Sequence, residues 1–472
     1  MKPHPLILSL GLILPLSACA VGPDYQKPQA PLSSQFKEQP DGWRQANPAG
    51  VAQDQWWALF ANAELDGLMR QVEVGNQNLA AAEAAYRQAL AAVDSANAAF
   101  FPTVTAGAAA TRARSNSTSS TSNSGGDSAT YRNTRSLTLG TSWAPDIWGS
   151  VRRSSEQAGA TAQASAADLA AARLSAQATL ATAYFQLRSL DSQAKLLDAT
   201  VAAYQRSLEI ARNRRASDLG SAADVAQAQA QYDSARANAI ALTSQRAVLE
   251  HAIAVLVGKP PAEFSLPVAD LPDAAPAVPA ALPASLLERR PDIVAAERTM
   301  AAANAKIGVA TAAYFPDITL SASSGFSGSA ISGLLRASNL VWSVGPELAA
   351  TLFDGGARDA AKAQAIAAYD QQVATYRQTV LTSLQAVEDQ LANLNALQGQ
   401  IDARDRAVAA STEAERIVLN QYKAGTVGYS DVITAQTTAL TARQSALSVR
   451  ESRLTATVAL LEALGGGWQA AR

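Results

Sequence analysis

The chain has 472 residues and a formal net charge of −2 with both signs spread along its length, so it offers no basic stripe for nucleic acid and no single-sign field. It holds two histidines, His4 and His251, and one cysteine, Cys19, which leaves a disulfide framework, a Cys-based metal cluster or a His-dependent triad without material. His251, inside Leu249-Glu250-His251-Ala252-Ile253, reads as a helix-surface or packing residue. No group of Asp and Glu stands out as an active site, and the composition points away from an enzyme and from any metal site or soluble cofactor.

The N-terminus is basic at Lys2 and apolar from Leu6 to Leu16, too short to span a bilayer as a helix but the right length for a signal h-region. It ends in Leu16-Ser17-Ala18-Cys19, a lipobox: small residues suit signal peptidase, and the Cys19 thiol then carries a diacylglycerol. Residues 1–18 are the expected signal peptide. Ala20 in place of Asp gives no retention signal at the inner membrane, which places the chain in the outer membrane of a Gram-negative cell. Residues 19–55, rich in Pro, Gln and Ala, form an expected extended, lipidated arm.

From Trp56 the pattern turns helical, with Leu65, Leu68, Val72, Leu79, Ala82 and Tyr86 at three- and four-residue steps up to Pro102. The period then changes to two. Leu137-Thr138-Leu139-Gly140-Thr141-Ser142-Trp143 alternates apolar with small or polar residues, and so does Ile318-Thr319-Leu320-Ser321-Ala322-Ser323; in Val341 to Leu348, Trp342, Val344 and Leu348 share a side. A strand pair is expected over about 103–145 and a second over about 317–353, each strand about ten residues, a membrane-spanning length. Ser115 to Gly126 reads as an exposed extracellular loop, and its counterpart near Ser327 to Asn339 as a shorter one. Long helical runs without proline follow, about 150–214 and 356–423; at 1.5 Å per residue each reaches on the order of 100 Å. Turns at Ser217-Asp218-Leu219-Gly220-Ser221 and Ala424-Gly425-Thr426-Val427-Gly428 reverse them, and Ser221 with Asp224 fits a capping box.

These features occur twice in the same order. Ala99-Phe100-Phe101-Pro102 matches Ala313-Tyr314-Phe315-Pro316, Gly149 and Arg152 match Gly355 and Arg358, and Gly220-Ser221-Ala222-Ala223-Asp224-Val225 echoes Gly428-Tyr429-Ser430-Asp431-Val432. The chain therefore divides into repeat 1 (56–259, helical hairpin about 150–257), a Pro/Ala-rich linker over the surface (260–284), repeat 2 (285–464, helical hairpin about 356–464) and a tail (465–472). Four membrane-length strands cannot stand alone in lipid, because open edges leave backbone groups unsatisfied at several kcal/mol each. Two chains would give about eight strands and a filled interior, whereas three give about twelve and a lumen. The expected fold class is α+β: a trimeric twelve-stranded transmembrane β-barrel continued by a long periplasmic α-helical barrel, with two structural repeats per chain.

The sequence resembles the outer membrane factor (TolC-like) family, and within it the lipoprotein branch of OprM/NodT type that serves RND-type tripartite efflux systems. The residues that carry this are Cys19 with Val21-Gly22-Pro23-Asp24-Tyr25-Gln26-Lys27-Pro28; Trp56-Trp57 with Phe60, Leu65 and Leu68; Leu286-Leu287-Glu288-Arg289-Arg290-Pro291-Asp292-Ile293 with Ala296-Glu297; Ile307-Gly308-Val309-Ala310; and Ala463-Leu464-Gly465-Gly466-Gly467-Trp468. The resemblance implies a homotrimer that meets a periplasmic adaptor protein and, through it, an inner membrane pump. It further implies that the two helix reversals form the periplasmic aperture and adaptor contact, with Asp218, Leu219, Gly220, Gly425, Val427 and Gly428 on that pattern. Relatives often keep acidic residues there. Here Gly220 and Val427 stand where some relatives have Asp, and Asp218 stands where a turn glycine is common. Asp218 reads either as a ring of carboxylates or as a turn residue.

The expected function is a passive exit duct for small molecules such as drugs, with no reaction and no cofactor beyond the covalent lipid on Cys19. A same-fold duct for type I protein secretion or metal efflux is the alternative. A structural coiled-coil lipoprotein accounts for the lipobox and helices but leaves the paired strands without purpose.

Overall fold

The computed structural model describes residues 20–31, 33, 35–38, 55–116, 129–276, 278 and 289–468. The expected signal peptide, Cys19, most of the polar loop after Ser115 and the end of the tail lie outside the described residues. Helices α1 (Ala63–Gly75) and α2 (Gln77–Ala98), strands β1 (Thr103–Asn116) and β2 (Ala129–Trp143), and helices α3 (Ser150–Ala216) and α4 (Ala222–Leu256) come first. Helix α5 (Pro291–Ala312), strands β3 (Asp317–Gly328) and β4 (Leu340–Ala349), and helices α6 (Ala357–Ala424) and α7 (Tyr429–Ala463) repeat the order. The duplication extends to length: α3 and α6 have 67 and 68 residues, and α4 and α7 have 35 each. The helical pattern expected to run unbroken from Leu65 is interrupted at Asn76. Its side-chain oxygen accepts from the backbone N–H of Asn78 and Leu79 at 2.9 and 3.2 Å, ending α1 and capping α2.

Contacts divide the chain into two compact units. The first comprises residues up to Pro28 with Arg87–Gln163 and Glu297–Ala374. It holds an antiparallel sheet in the order β1-β2-β3-β4, so β1 and β4 are both open edges. Registry sorts most of its side chains by face. One face carries Val104, Ala106, Leu137, Leu139, Ile318, Leu320, Trp342, Val344 and Leu348; the other carries Thr105, Thr111, Thr138, Ser142, Ser321, Ser323, Ser343 and Glu347. Trp342, Val344 and Leu348 do share a side, and each is about 70 % exposed (71, 72 and 68 %). The strands run 14, 15, 12 and 10 residues, longer than expected in the first pair. Residues 117–128 join β1 to β2 and residues 329–339 join β3 to β4, so the second hairpin is shorter mainly in its strands.

Below the sheet each copy turns into its long helix through an Asp-Arg pair. Asp146 accepts from the backbone N–H of Val151 and Arg152 at 2.9 and 2.8 Å and pairs with the Arg152 guanidinium. Asp354 does the same for Gly356, Arg358 and the Arg358 guanidinium, and these donors hold its carboxyl below the usual carboxylate range. The two copies interlock here: Trp148 donates its indole N–H to the Pro316 carbonyl at 2.8 Å and stacks on Phe315 at 4.7 Å.

The second unit comprises Gln29–Tyr86, Ala164–Ala296 and Thr375–Arg472. Its core packs Trp56, Trp57, Leu65, Met69 and Val72 against Leu180, Tyr184, Phe185 and Leu187, with Ile253, Leu454, Val458 and Leu461. The linker is tied down in its described part. Arg188 and Asp191, both almost fully buried, form an ion pair at 2.7 Å. Arg188 also pairs with Glu64 and donates to the Pro267 carbonyl at 2.7 Å. Arg246 joins Asp191 to Glu250 and donates to the Leu266 carbonyl, while Glu250 accepts from the Leu266 N–H and Asp191 from the Ala269 N–H. Buried charge needs this many partners to offset its desolvation. Arg290 of the Arg-Arg-Pro-Asp motif pairs with Asp292 and donates to the Ala463 carbonyl at the end of α7, a fold-keeping role.

Candidate functional site: the helix reversals and the docked arm

The two reversals that end α3 and α6 lie side by side within the second unit. Leu208, Ala211, Ala228, Tyr422, Tyr429 and Val432 form a small buried cluster, against which Val427 packs. Tyr422 and Tyr429 meet edge to face at 5.2 Å, and burial pushes the Tyr429 hydroxyl up to about 12, so it stays neutral.

Ser221 and Asp224 make the expected capping box at the start of α4: the Asp224 N–H donates to Ser221 Oγ at 3.0 Å, and Asp224 Oδ2 accepts from the Ser221 N–H. In the second copy Asp431 accepts from the Gly428 N–H at 3.2 Å. Gly425 closes α6 with φ +79, a left-handed position that favours glycine. Asp218 occupies the matching place after α3 with φ +57, and Leu219 beyond it is 68 % exposed. Gly220 lies close under the backbone of Arg214 and Arg215; a Cβ there would come within 3.2 Å of Arg214 Cβ.

One residue that the sequence reading missed joins both turns. Arg214 donates through Nη1 to the carbonyls of Tyr422 and Lys423 at 2.9 and 3.1 Å, and through Nη2 to the Leu219 carbonyl at 3.0 Å. Its guanidinium also lies 4.9 Å from the centre of the Tyr422 ring. The signal available in the sequence was the cationic end of α3, Arg212, Arg214 and Arg215, which complements the helix dipole. Its partners, more than 200 residues away, were not readable.

The described start of the N-terminal arm, residues 20–28, forms no helix or strand and is anchored in the first unit. The Val21 N–H donates to the Trp148 carbonyl at 3.1 Å, Arg153 pairs with Asp24 at 2.7 Å, Asn304 donates to the Pro23 carbonyl, and Tyr25 donates to Glu297 at 2.5 Å. Gly22, at φ +98, rests on Gly308 of α5 so closely that a Cβ would fall 2.5 Å from Gly308 Cα. Two motifs that are about 280 residues apart in sequence thus meet, and Ala20 is held against Gly149 at the start of α3.

A family model described as outer membrane efflux protein matches residues 68–259 and 282–466, one segment for each copy. The chain belongs to the outer membrane efflux protein family. The toluene efflux pump outer membrane protein TtgC of Pseudomonas putida is 31 % identical over 456 residues, covering 96 % of this chain and 93 % of TtgC. The cation efflux system protein CusC of Escherichia coli is 28 % identical, covering 98 % of this chain and 99 % of CusC. The solved outer-membrane channel OprN superposes with a TM-score of 0.88 at 30 % identity, covering 96 % of this chain and all of OprN. The α+β fold of paired strands and long helices is that of these channels, and the chain is an outer membrane channel component of efflux.

The left-handed backbone at Asp218 accounts for Asp there, since Asp and Asn tolerate that conformation better than other residues with a Cβ. Asp218→Asn is therefore expected to leave single-channel cation selectivity unchanged. A clear loss of cation preference would instead establish a ring of carboxylates at this position.

Proposed function

We propose that three copies of this chain close into a twelve-stranded barrel and act as the passive exit duct of a tripartite efflux system for small organic molecules. A periplasmic adaptor protein and an inner membrane RND pump are the partners, and the pump supplies the energy. The duct performs no reaction and needs no cofactor. The observation that carries this reading is the four-stranded sheet with one apolar face, one Ser/Thr-rich face and two open edges. Edge β4 of one copy and edge β1 of the next satisfy each other, the apolar face meets lipid and the polar face lines the lumen. Helix α4 of the second unit supports association as well: Ile240, Val248 and Val255 are 61, 63 and 64 % exposed and recur at eight- and seven-residue steps. The exposed Leu219, with Asp218, Gly220, Gly425, Val427 and Gly428 around it, offers the adaptor a tip.

Organic cargo is favoured by the likeness to a toluene efflux component at 31 % identity, over the cation system component at 28 %. Deleting the gene tests this: hypersensitivity to solvents, dyes and antibiotics is expected. A purely metal-specific or secretion phenotype would move the assignment to the alternative cargo.

The lipid belongs to the same proposal. The arm holds Ala20 at the start of α3, just below the sheet, where a diacylglycerol on Cys19 reaches the inner leaflet of the outer membrane. Cys19→Ser is expected to abolish palmitate incorporation while heat-resistant oligomer persists, because the contacts of Val21, Gly22, Asp24 and Tyr25 do not involve the lipid. Palmitate labelling that survives the substitution would refute the lipidation site.

A further inference from the structure

The lipid-facing side of the sheet changes character abruptly toward the end remote from the helices. On β1, Val104, Ala106, Ala108 and Ala110 are followed on the same face by Arg112 and Arg114; on β2, Trp143, Thr141, Leu139 and Leu137 are followed by Arg135, Asn133 and Tyr131. At about 3.3 Å per residue the apolar run spans roughly 20 Å along the strand, less in height once the strand tilts, and the arginines begin where it ends. The register places Arg135 opposite Ala110, Asn133 opposite Arg112 and Tyr131 opposite Arg114. Arg112 therefore neighbours Arg114 two residues along its own strand and Arg135 diagonally across, each position about 7–8 Å away by sheet geometry, with Arg114 and Arg135 flanking it roughly twice as far from each other.

The cluster is partly ordered. The Arg112 guanidinium lies 5.1 Å from the centre of the Tyr131 ring, and Arg135 donates to the Ser329 carbonyl at 2.6 Å. Strands β1 and β2 contain no carboxylate, and the carboxylates of β3 and β4, Asp317 and Glu347, lie on the opposite face at the helix-proximal end. Asp127, in the connection between β1 and β2, lies outside the described residues. Like charges set side by side repel, and a bound anion relieves that repulsion. Guanidinium forks fit phosphate oxygens in pairs, and a tyrosine beside them suits the boundary between acyl chains and headgroups.

We propose that Arg112, Arg114 and Arg135 bind the phosphate groups of a phosphorylated glycolipid in the outer leaflet, with Tyr131 stacked against Arg112. This rests on the channel reading, which sets the apolar face toward lipid and the hairpin end toward the cell exterior. Bound lipid then seals the rim of the barrel where the apolar band stops.

The test extracts the full-length protein in mild detergent and measures retained lipid A by native mass spectrometry, in parallel with single-channel conductance. Wild-type protein is expected to retain bisphosphorylated lipid A and to lose it on addition of salt, while dephosphorylated lipid A is not retained. The R112Q/R114Q/R135Q variant is expected to bind about a hundredfold more weakly, and R114Q alone about fivefold, with conductance unchanged. Arg132→Gln, on the same strand but on the lumen-facing side, is expected to retain the lipid as wild type does. Equal retention by wild type and R114Q, or equal retention of dephosphorylated lipid A, would overturn the site while leaving conductance, and with it the channel reading, intact. Release of lipid A by millimolar inorganic phosphate alone would likewise overturn it, as the site would then take free phosphate.

Discussion

Arg188→Ala is expected to destabilise the protein by about 3–5 kcal/mol, the range found when one partner of a buried ion pair is removed. Arg188 and Asp191 are both about 1 % exposed at the side chain, and the guanidinium also serves Glu64 and the Pro267 carbonyl. Its loss leaves the Pro267 carbonyl without its donor, Glu64 with the Tyr184 hydroxyl but no cation, and Asp191 with Arg246 as its remaining cation. The segment from Leu266 to Leu271, whose leucines are buried in the core, should then detach first. Thermal unfolding in detergent and the temperature at which the oligomer dissociates measure this. Arg188→Lys keeps the charge but not the fork and should fall between wild type and alanine. A shift of less than 1 kcal/mol for Arg188→Ala would show that the network is dispensable.

Arg214→Ala is expected to raise single-channel conductance and to sensitise cells to bulky antibiotics that the closed outer membrane excludes. Arg214 ties the end of α3 to the end of α6 through the Tyr422 and Lys423 carbonyls and the Tyr422 ring, and also holds the Leu219 carbonyl of its own turn. Bonds to a charged donor contribute about 1.5–3 kcal/mol each when shielded and less at a half-exposed site. A total loss of about 2 kcal/mol shifts the ratio of released to latched tips roughly thirtyfold. Arg214→Lys cannot reach both turns at once and should leak nearly as much. Unaltered conductance in both variants would remove Arg214 from any account of closure.

Much of the fold was readable because local chemistry marks it. Pro102 and Pro316 end the helices that lead into β1 and β3, alternation identifies the sheet face that holds Trp342 and Leu348, and Ser221 with Asp224 announces α4. The break at Asn76 was hidden because the apolar spacing continues through it; only an Asn at a cap position hinted at it. The residues that the resemblance assigns to an aperture were readable because they are the turn residues themselves, whereas the groups that hold the two reversals together, Arg214 with Tyr422 and Tyr429, come from distant parts of the chain. The same holds for Arg188, whose partners Glu64 and Pro267 are 124 and 79 residues away. Tertiary ion pairs leave no periodic trace, so the sequence shows the charges without their pairing.

The open edges at β1 and β4 bear on inheritance as well as on architecture. A subunit whose helices fold but whose edge strand is damaged still joins intact siblings through its undamaged surfaces, and the wall it enters fails to close. One faulty member spoils the shared ring, so such an allele acts as a dominant poison in a cell that also makes the normal product, whereas an allele that yields no protein is recessive.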